Sequence, residues 1–332
     1  MNEGASSTVK VSRERVKAAG FASDRRGRII AGWERVYQTQ GGRFMQRSIG
    51  AAAAVLALTA ALAAADDPAD KAAERKKAAE AAWTETGVGD FSTLETDHLL
   101  IYAPKDLEKR LKELGALLEK QLSQAKSALG YDEKTEPLPA KAAVYLFSQR
   151  EQFSAFVRRV DKQRLDSDDA ASFNAEDDAL HVAAGPARLK SDLGPEGEAA
   201  EQLAALLLAR KAGLKTILPG WLTEGFGRAT YHRTVGGSKA AGDKREAAAW
   251  AARGSAKDIW NGNIDAEKAS ALQGSLAEYF AYGPGAPKFA DFLKGFAPDD
   301  NTAQQTTEKA LTSIGQNADR VDQSWRAWAL TK

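Results

Sequence analysis

Short apolar runs alternate with helical stretches between residues 98 and 184, and this alternation constrains the fold more than any other feature. The stretch from Asp106 to Leu129 places leucines at helical spacing and ends before Gly130, and another helix is expected from residue 148 to about 160. Three runs have the length and the residue types of buried strands: 98–103, 142–147 and 179–184. The pattern predicts a small sheet with helices packed against it.

Beyond residue 190 the sequence favours helices almost throughout. Leu203, Leu206 and Leu207 form an apolar stripe on a predicted helix at 196–212, and Pro219 precedes another helix. More helices are expected across 244–331, the last of them anchored in the core by two tryptophans one turn apart, Trp325 and Trp328. We therefore predict an α+β fold in one domain over 90–331, with a small mixed sheet in its N-terminal half and a helical C-terminal half.

The residues before this domain have the composition of an exported protein's leader. Residues 48–65 carry no charge, and an Ala/Leu/Val run follows the basic stretch that begins at Met45. This pattern predicts a signal peptide at 45–65 and a secreted or periplasmic protein. A retained transmembrane anchor is the alternative, although the run is short for a bilayer. Residues 1–44 are expected to be a disordered or non-native leader, and 66–89 a charged helical linker.

Charge and cysteine content exclude several classes of function. The first 47 residues hold ten of the 46 basic residues and four of the 45 acidic ones, so the rest of the chain is net acidic. We expect no nucleic-acid partner, because no large basic face remains. The chain has no cysteine, which excludes disulfides, thiolate metal sites and a cysteine nucleophile.

Two segments twenty residues apart carry the functional argument. One is Ala200-Glu-Gln-Leu-Ala204, and the other is Pro219-Gly-Trp-Leu-Thr-Glu-Gly225. The second segment resembles the Pro-x-Trp-Leu-x-Glu-Gly helix of gluzincin-type, peptidase MA-like zinc metallopeptidases. In that family an upstream helix carries His-Glu-x-x-His, whose two imidazoles bind one zinc ion, and a glutamate on the second helix is the third ligand.

The resemblance implies a zincin-like fold that has lost its metal. Counting back from Glu224 places Ala200 and Ala204 at the two histidine positions and Glu201 at the position that activates water. Alanine has no ligand atom, so the resemblance implies no zinc and no other cofactor. Glu201 and Glu224 are then vestigial catalytic residues.

Three further residues are expected to line the vacated cleft: Trp221, Gly225 and His232. A zinc site rebuilt from Glu201, Glu224 and His232 is conceivable but needs another ligand. Without a metal, Glu201 is free to turn outward or to pair with a basic residue, for example Arg210 or Lys211.

The function expected from these features is an exported metallopeptidase-like protein that does not hydrolyse peptides. It would bind or scaffold an envelope protein or polymer that the sequence does not identify, with no stable membrane span after signal cleavage. The alternative is a metal-independent hydrolase, for example on glycans, with Glu201 and Glu224 as an acid/base pair. A third hypothesis is a purely structural protein with no functional cleft.

Overall fold

The computed structural model describes residues 68–132, 134–166, 169–187, 193–299 and 304–332. The predicted leader at 1–44 and the predicted signal peptide at 45–65 lie outside these residues. Among the described helices, none is both long and apolar enough to cross a membrane.

The described part of the chain contains a five-stranded sheet with the order β1-β2-β3-β5-β4. Its middle strands β2, β3 and β5 run parallel to one another, and the edge strands β1 and β4 run antiparallel to their neighbours. The predicted mixed sheet is confirmed. The strands are β1 (Phe91–Glu95), β2 (Leu99–Pro104), β3 (Ala142–Leu146), β4 (Ala171–Asn174) and β5 (His181–Ala184).

Eleven α-helices surround and extend the sheet within the described ranges, which confirms the α+β class. They are α1 (Pro68–Glu85), α2 (Leu111–Ala128), α3 (Arg150–Arg159), α4 (Gly194–Ala212), α5 (Gly220–Val235), α6 (Gly237–Ala251), α7 (Ala256–Trp260), α8 (Ala266–Tyr282), α9 (Phe289–Lys294), α10 (Thr307–Ser313) and α11 (Ala318–Ala329).

Helices cover both faces of the sheet, so the three parallel strands are buried along their whole length. Successive residues of β2 enter opposite cores: Ile101 packs with residues of α2 and α4, whereas Tyr102 packs with residues of α1 and α3. Parallel strands covered on both sides need apolar side chains at every position, which explains the continuous apolar runs in the sequence.

The segment expected to be a charged linker belongs to the folded domain. It is helical, as predicted, but Trp83 of α1 is only 1% exposed and stacks on Phe147 with ring centroids 5.2 Å apart. Ala79 is buried in the same cluster. The Ala, Lys and Glu composition of the helix hides this, because two buried positions are enough to hold an 18-residue helix on the sheet.

Helix α5 lies at the centre of the helical half, in contact with both α4 and α8. It begins directly after Pro219 and ends at Gly236, whose φ of +68° is followed by +86° at Gly237. Two successive left-handed positions favour glycine and turn the chain sharply into α6. In the last helix Trp325 is fully buried, as predicted, and Trp328 is half-buried against Tyr279.

Candidate functional site

The two helices singled out by the sequence pack closely against each other. A Cβ atom built on Gly227 of α5 would lie 2.7 Å from the backbone oxygen of Glu201 in α4, and one built on Gly197 would lie 3.3 Å from the hydroxyl of Tyr231. Residue numbers rise along one helix while they fall along the other, so the pair is antiparallel. When this pairing of residues is continued along the two helices, Ala204 of α4 lies at the same level as Glu224 of α5.

The two positions that the resemblance assigns to zinc ligands are part of the main core. Ala200 and Ala204 are fully buried and cluster with the apolar residues that join α4 to the sheet and to α5. Their methyl groups supply packing contacts and no ligand atom.

Glu201 takes part in a buried ion pair. Its Oε1 accepts a hydrogen bond from Nη1 of Arg228 at 3.2 Å, and the side chain of Arg228 is only 2% exposed. The prediction that Glu201 pairs with Arg210 or Lys211 is wrong. They lie nine or ten residues further along α4, about 14 Å away along its axis, so they cannot reach Glu201. Arg210 instead donates to the carbonyl groups of Pro137 and Ala175.

The ion pair extends into a network that joins α4, α5 and α6. Nε of Arg228 donates to Oδ2 of Asp243 at 2.9 Å, and Lys239 contacts the other oxygen of Asp243 at 3.0 Å. Nε2 of His232 lies 3.3 Å from Oδ2 of Asp243. Burial, and next the charge of Arg228, lower the pKa of His232 to about 4. His232 is therefore neutral near pH 7, and its Nε2 lies beside this network without a hydrogen bond to it.

Two of the residues expected to line a cleft are core residues instead. Trp221 is 4% exposed, donates from Nε1 to Oγ1 of Thr307 at 3.1 Å and packs against Phe280 and Phe292. Gly225 faces the backbone of Gln273 in α8 so closely that a Cβ atom would overlap it. Both residues serve helix packing: tryptophan buries a large apolar surface, and glycine allows two backbones to approach closely.

Glu224 differs from these neighbours because its side chain is exposed. Protein atoms nevertheless crowd its carboxyl group, and this desolvation raises its pKa to about 7, with smaller contributions from the negative charges of Asp169 and Glu198. Water that reaches the exposed side chain screens part of this effect. Glu224 thus faces an acidic surface that includes Asp169 and Glu198.

Sequence reasoning missed Asp169 and Glu198, because only the tertiary fold brings them near Glu224. Asp169 precedes β4, and Arg150 of α3 holds this segment by donating to the carbonyl groups of Asp169 and Asp166. Glu198 lies one turn before Glu201 on α4. The sequence indicated Glu198 only by its position one turn from Glu201 on the same predicted helix, and such a position is weak evidence for a shared site.

The described residues contain no group of three or more His, Asp or Glu side chains arranged to hold a metal ion. A surface groove of about 590 Å³ lies between β1, the turn that follows β2 and the start of α2, and none of the predicted site residues lines it. No protein-family model matches the chain, and none of the curated proteins matches it.

Proposed function

We propose that the chain is an exported, metallopeptidase-like protein that acts by binding and does not hydrolyse peptides through zinc. The observation that carries the proposal is the antiparallel packing of α4 and α5. It places Ala204 and Glu224, which are twenty residues apart in the sequence, at the same level along the helix pair. A zinc site built on two such helices needs this register, and here the position level with the exposed Glu224 holds a buried methyl group.

The environment of Glu201 supports the loss of hydrolysis. In a zinc peptidase the metal lowers the pKa of its bound water and polarises the substrate carbonyl group, and the glutamate accepts the proton. Glu201 has Arg228 as a counter-ion at 3.2 Å, so its carboxylate is already engaged within the protein. Neither alanine supplies a ligand that would hold the metal.

The same ion pair argues against the alternative hydrolase. That mechanism needs Glu201 and Glu224 to face one cleft as an acid/base pair. Glu201 is 14% exposed and bonded to the buried Arg228, whereas Glu224 is exposed beside Asp169 and Glu198. The two carboxylates therefore lie in different surroundings and do not face one cleft as a pair.

The partner class is proposed from the leader and from the acidic surface around Glu224. A signal peptide at 45–65 would send the protein to the envelope or the medium, where it would bind a protein or polymer of the envelope. The net acidic chain after residue 65 gives nucleic acid no complementary face.

The central test measures zinc and peptidase activity in the full chain purified without a metal-binding tag. We expect far less than one zinc per chain by elemental mass spectrometry, an unchanged melting temperature in chelator, and no cleavage of casein or of a peptide library. One tightly held zinc per chain, removed by chelator with a fall in melting temperature, would overturn the proposal.

Introducing histidines at positions 200 and 204 tests directly whether α4 and α5 have the arrangement of a zinc site. The double variant Ala200→His/Ala204→His should gain zinc affinity if Glu224 completes a three-ligand site, and adding Glu224→Gln should remove most of that gain. Both positions are fully buried, so circular dichroism must first show that each variant folds. A folded double variant whose zinc affinity does not depend on Glu224 would contradict this arrangement of the two helices.

A further inference from the structure

Strand β1 forms one edge of the sheet, and its outward backbone groups have no partner in the described part of the chain. Its neighbour is β2, and in their antiparallel register Thr93 lies opposite Tyr102. Directly after the strand, Thr96 donates its N–H to the carbonyl oxygen of Leu99. Because backbone groups alternate in direction along a strand, Thr93 and Glu95 turn their N–H and C=O groups away from β2.

The surface groove of about 590 Å³ runs along this open edge. Four consecutive residues of β1, 91–94, line it, and successive side chains of a strand point to opposite faces of a sheet. A groove over one face would contact only alternate residues, so this groove follows the edge itself. Its other wall comes from residues 105–112, in the turn after β2 and the start of α2. An extended chain in the groove would therefore lie beside the unpaired groups of β1.

The charges of the groove favour an acidic strand as its occupant. Lys105 and Lys112 line the groove together with one carboxylate, Glu108. Lys105 pairs with Asp90 at 2.9 Å, whereas Lys112 is exposed and has no ion-pair partner among the described residues. Strand β1 is itself an acidic strand, because the segment from Asp90 to Glu95 carries these two carboxylates and no basic residue.

We propose that two copies of this chain pair through β1, each placing its strand in the groove of the other. An antiparallel pair centred on Thr93 joins the outward N–H and C=O groups of the two Thr93 residues. The same register sets Phe91 of one copy opposite Glu95 of the other. Phe91 pairs with Pro104 of β2, so Glu95 of the second copy comes near Lys105. The contact is isologous, so it occurs twice and closes the assembly as a dimer.

The two-fold symmetry keeps the walls of the two grooves apart. An axis through Thr93, perpendicular to the sheet, leaves α2 of both copies on the same face. The wall at 105–112 lies at the Phe91 end of β1, because Phe91 pairs with Pro104 and the wall follows directly in the sequence. In an antiparallel pair the two Phe91 ends point in opposite directions, so the two walls lie at opposite ends of the seam.

The charges at the ends of β1 select the antiparallel orientation. One end carries the ion pair of Asp90 with Lys105 at 2.9 Å, and the other carries Glu95 with Lys141 at 2.7 Å. Antiparallel pairing sets Glu95 of one copy beside Lys105 of the other, whereas parallel pairing would set like carboxylates side by side. Charges at a strand edge usually keep copies apart, but here they are complementary between copies.

A single introduced cysteine tests the register, because the chain has no cysteine of its own. In Thr93→Cys the two cysteines face each other with Cα atoms about 5.5 Å apart, a separation that a disulfide spans. Mild oxidation of the full chain should convert most of this variant to a disulfide-linked dimer. Asp97→Cys is the matched control, because residue 97 is also exposed but its two copies would lie more than about 20 Å apart. Equal cross-linking of the two variants, whether complete or absent, would overturn the proposal.

Sedimentation equilibrium of the unmodified full chain measures the association directly. We expect the mass to rise from 35.5 kDa towards twice that value as the concentration increases to about 0.1 mM, because a short edge contact gives a weak dimer. Thr93→Pro should stay monomeric, since proline lacks the N–H that the second copy needs and an edge strand tolerates it at an outward position. A native chain that stays monomeric would refute the dimer, and this result needs no variant to fold. A Thr93→Pro chain that dimerises like the native one would refute the contact through β1.

The dimer goes beyond the proposed function and does not depend on it. None of the predicted site residues lines the groove, and neither experiment uses zinc, a ligand or an activity. Failure of the dimer and failure of the binding role are therefore distinguishable.

Discussion

The closest helix contact in the candidate site gives the sharpest test of the structure. Gly225 of α5 faces Gln273 of α8, and a Cβ atom built on Gly225 would lie 2.7 Å from the carbonyl carbon of Gln273 and closer still to its oxygen. Real Cβ contacts are almost never below 3.0 Å, and the obstacle is backbone, so Gly225→Ala must push the two helices apart.

The size of this effect follows from two opposing terms. Overpacking a core contact costs about 1–3 kcal/mol, and a backbone obstacle places this site at the upper end. Alanine is about 1 kcal/mol better than glycine in a helix, which offsets part of that cost. We expect Gly225→Ala to lower the free energy of unfolding by about 2 kcal/mol, which lowers the melting temperature by about 4–8 °C in a domain of this size.

Gly242→Ala is the matched control. Gly242 lies inside α6, and the nearest atom to its built Cβ is Nη2 of Arg245, 4.0 Å away. The same substitution there should raise stability by up to about 1 kcal/mol. Urea unfolding followed by tryptophan fluorescence compares the two variants. If Gly225→Ala is as stable as Gly242→Ala, the packing of α5 on α8, and with it the placement of Glu224, is refuted.

Three other substitutions test the charges of the site. Glu224→Gln should raise the melting temperature slightly at about pH 8 and leave it unchanged at about pH 4. The pKa of the Glu224 carboxyl group is raised to about 7, so the native protein loses stability as the pH rises from the ordinary pKa of a glutamate to this higher value. Equal effects of the substitution at both pH values would contradict this reasoning. Arg228→Met removes a guanidinium group from two buried carboxylates and should cost about 3–5 kcal/mol in urea unfolding, and a cost below about 1 kcal/mol would show that the ion pair is solvated. Adding Glu201→Gln to Arg228→Met should recover part of the loss, whereas a further drop equal to that of Glu201→Gln alone would mean that the two side chains act independently.

Periodicity and residue type were enough to predict the central elements of the fold. The apolar runs at 98–103, 142–147 and 179–184 match β2, β3 and β5 to within one or two residues at each end, because parallel strands covered on both faces are apolar at every position. The edge strands β1 and β4 were missed. Each has four or five residues and one face that is only partly covered, so its sequence carries few of the signals of a strand.

The helix pair of the candidate site could be predicted from the sequence, but its chemistry could not. Helical periodicity and Pro219 predicted α4 and α5, and the resemblance implied that Ala204 and Glu224 belong to one site. The two residues lie at the same level, but Ala204 is buried and Glu224 is exposed. The partner of Glu201 was not predictable, because Arg228 lies on another helix and reaches Glu201 only through the close approach at Gly227. Such pairings depend on how two helices cross, which local sequence does not encode.

Under the proposed function, the contacts that join α4 to α5 would let a zinc-binding helix pair lose both histidines and still fold. The pair is held by the backbone contact at Gly227 and by the ion pair of Arg228 with Glu201, and neither contact involves residue 200 or residue 204. In a buried helix interface an alanine fills its space without the desolvation cost that an imidazole carries when it has no metal or hydrogen-bond partner. Alanine at both positions therefore favours folding, and Arg228 supplies the counter-ion of Glu201. Under the proposed function, the packing that stabilises the helix pair would also account for the loss of the metal site.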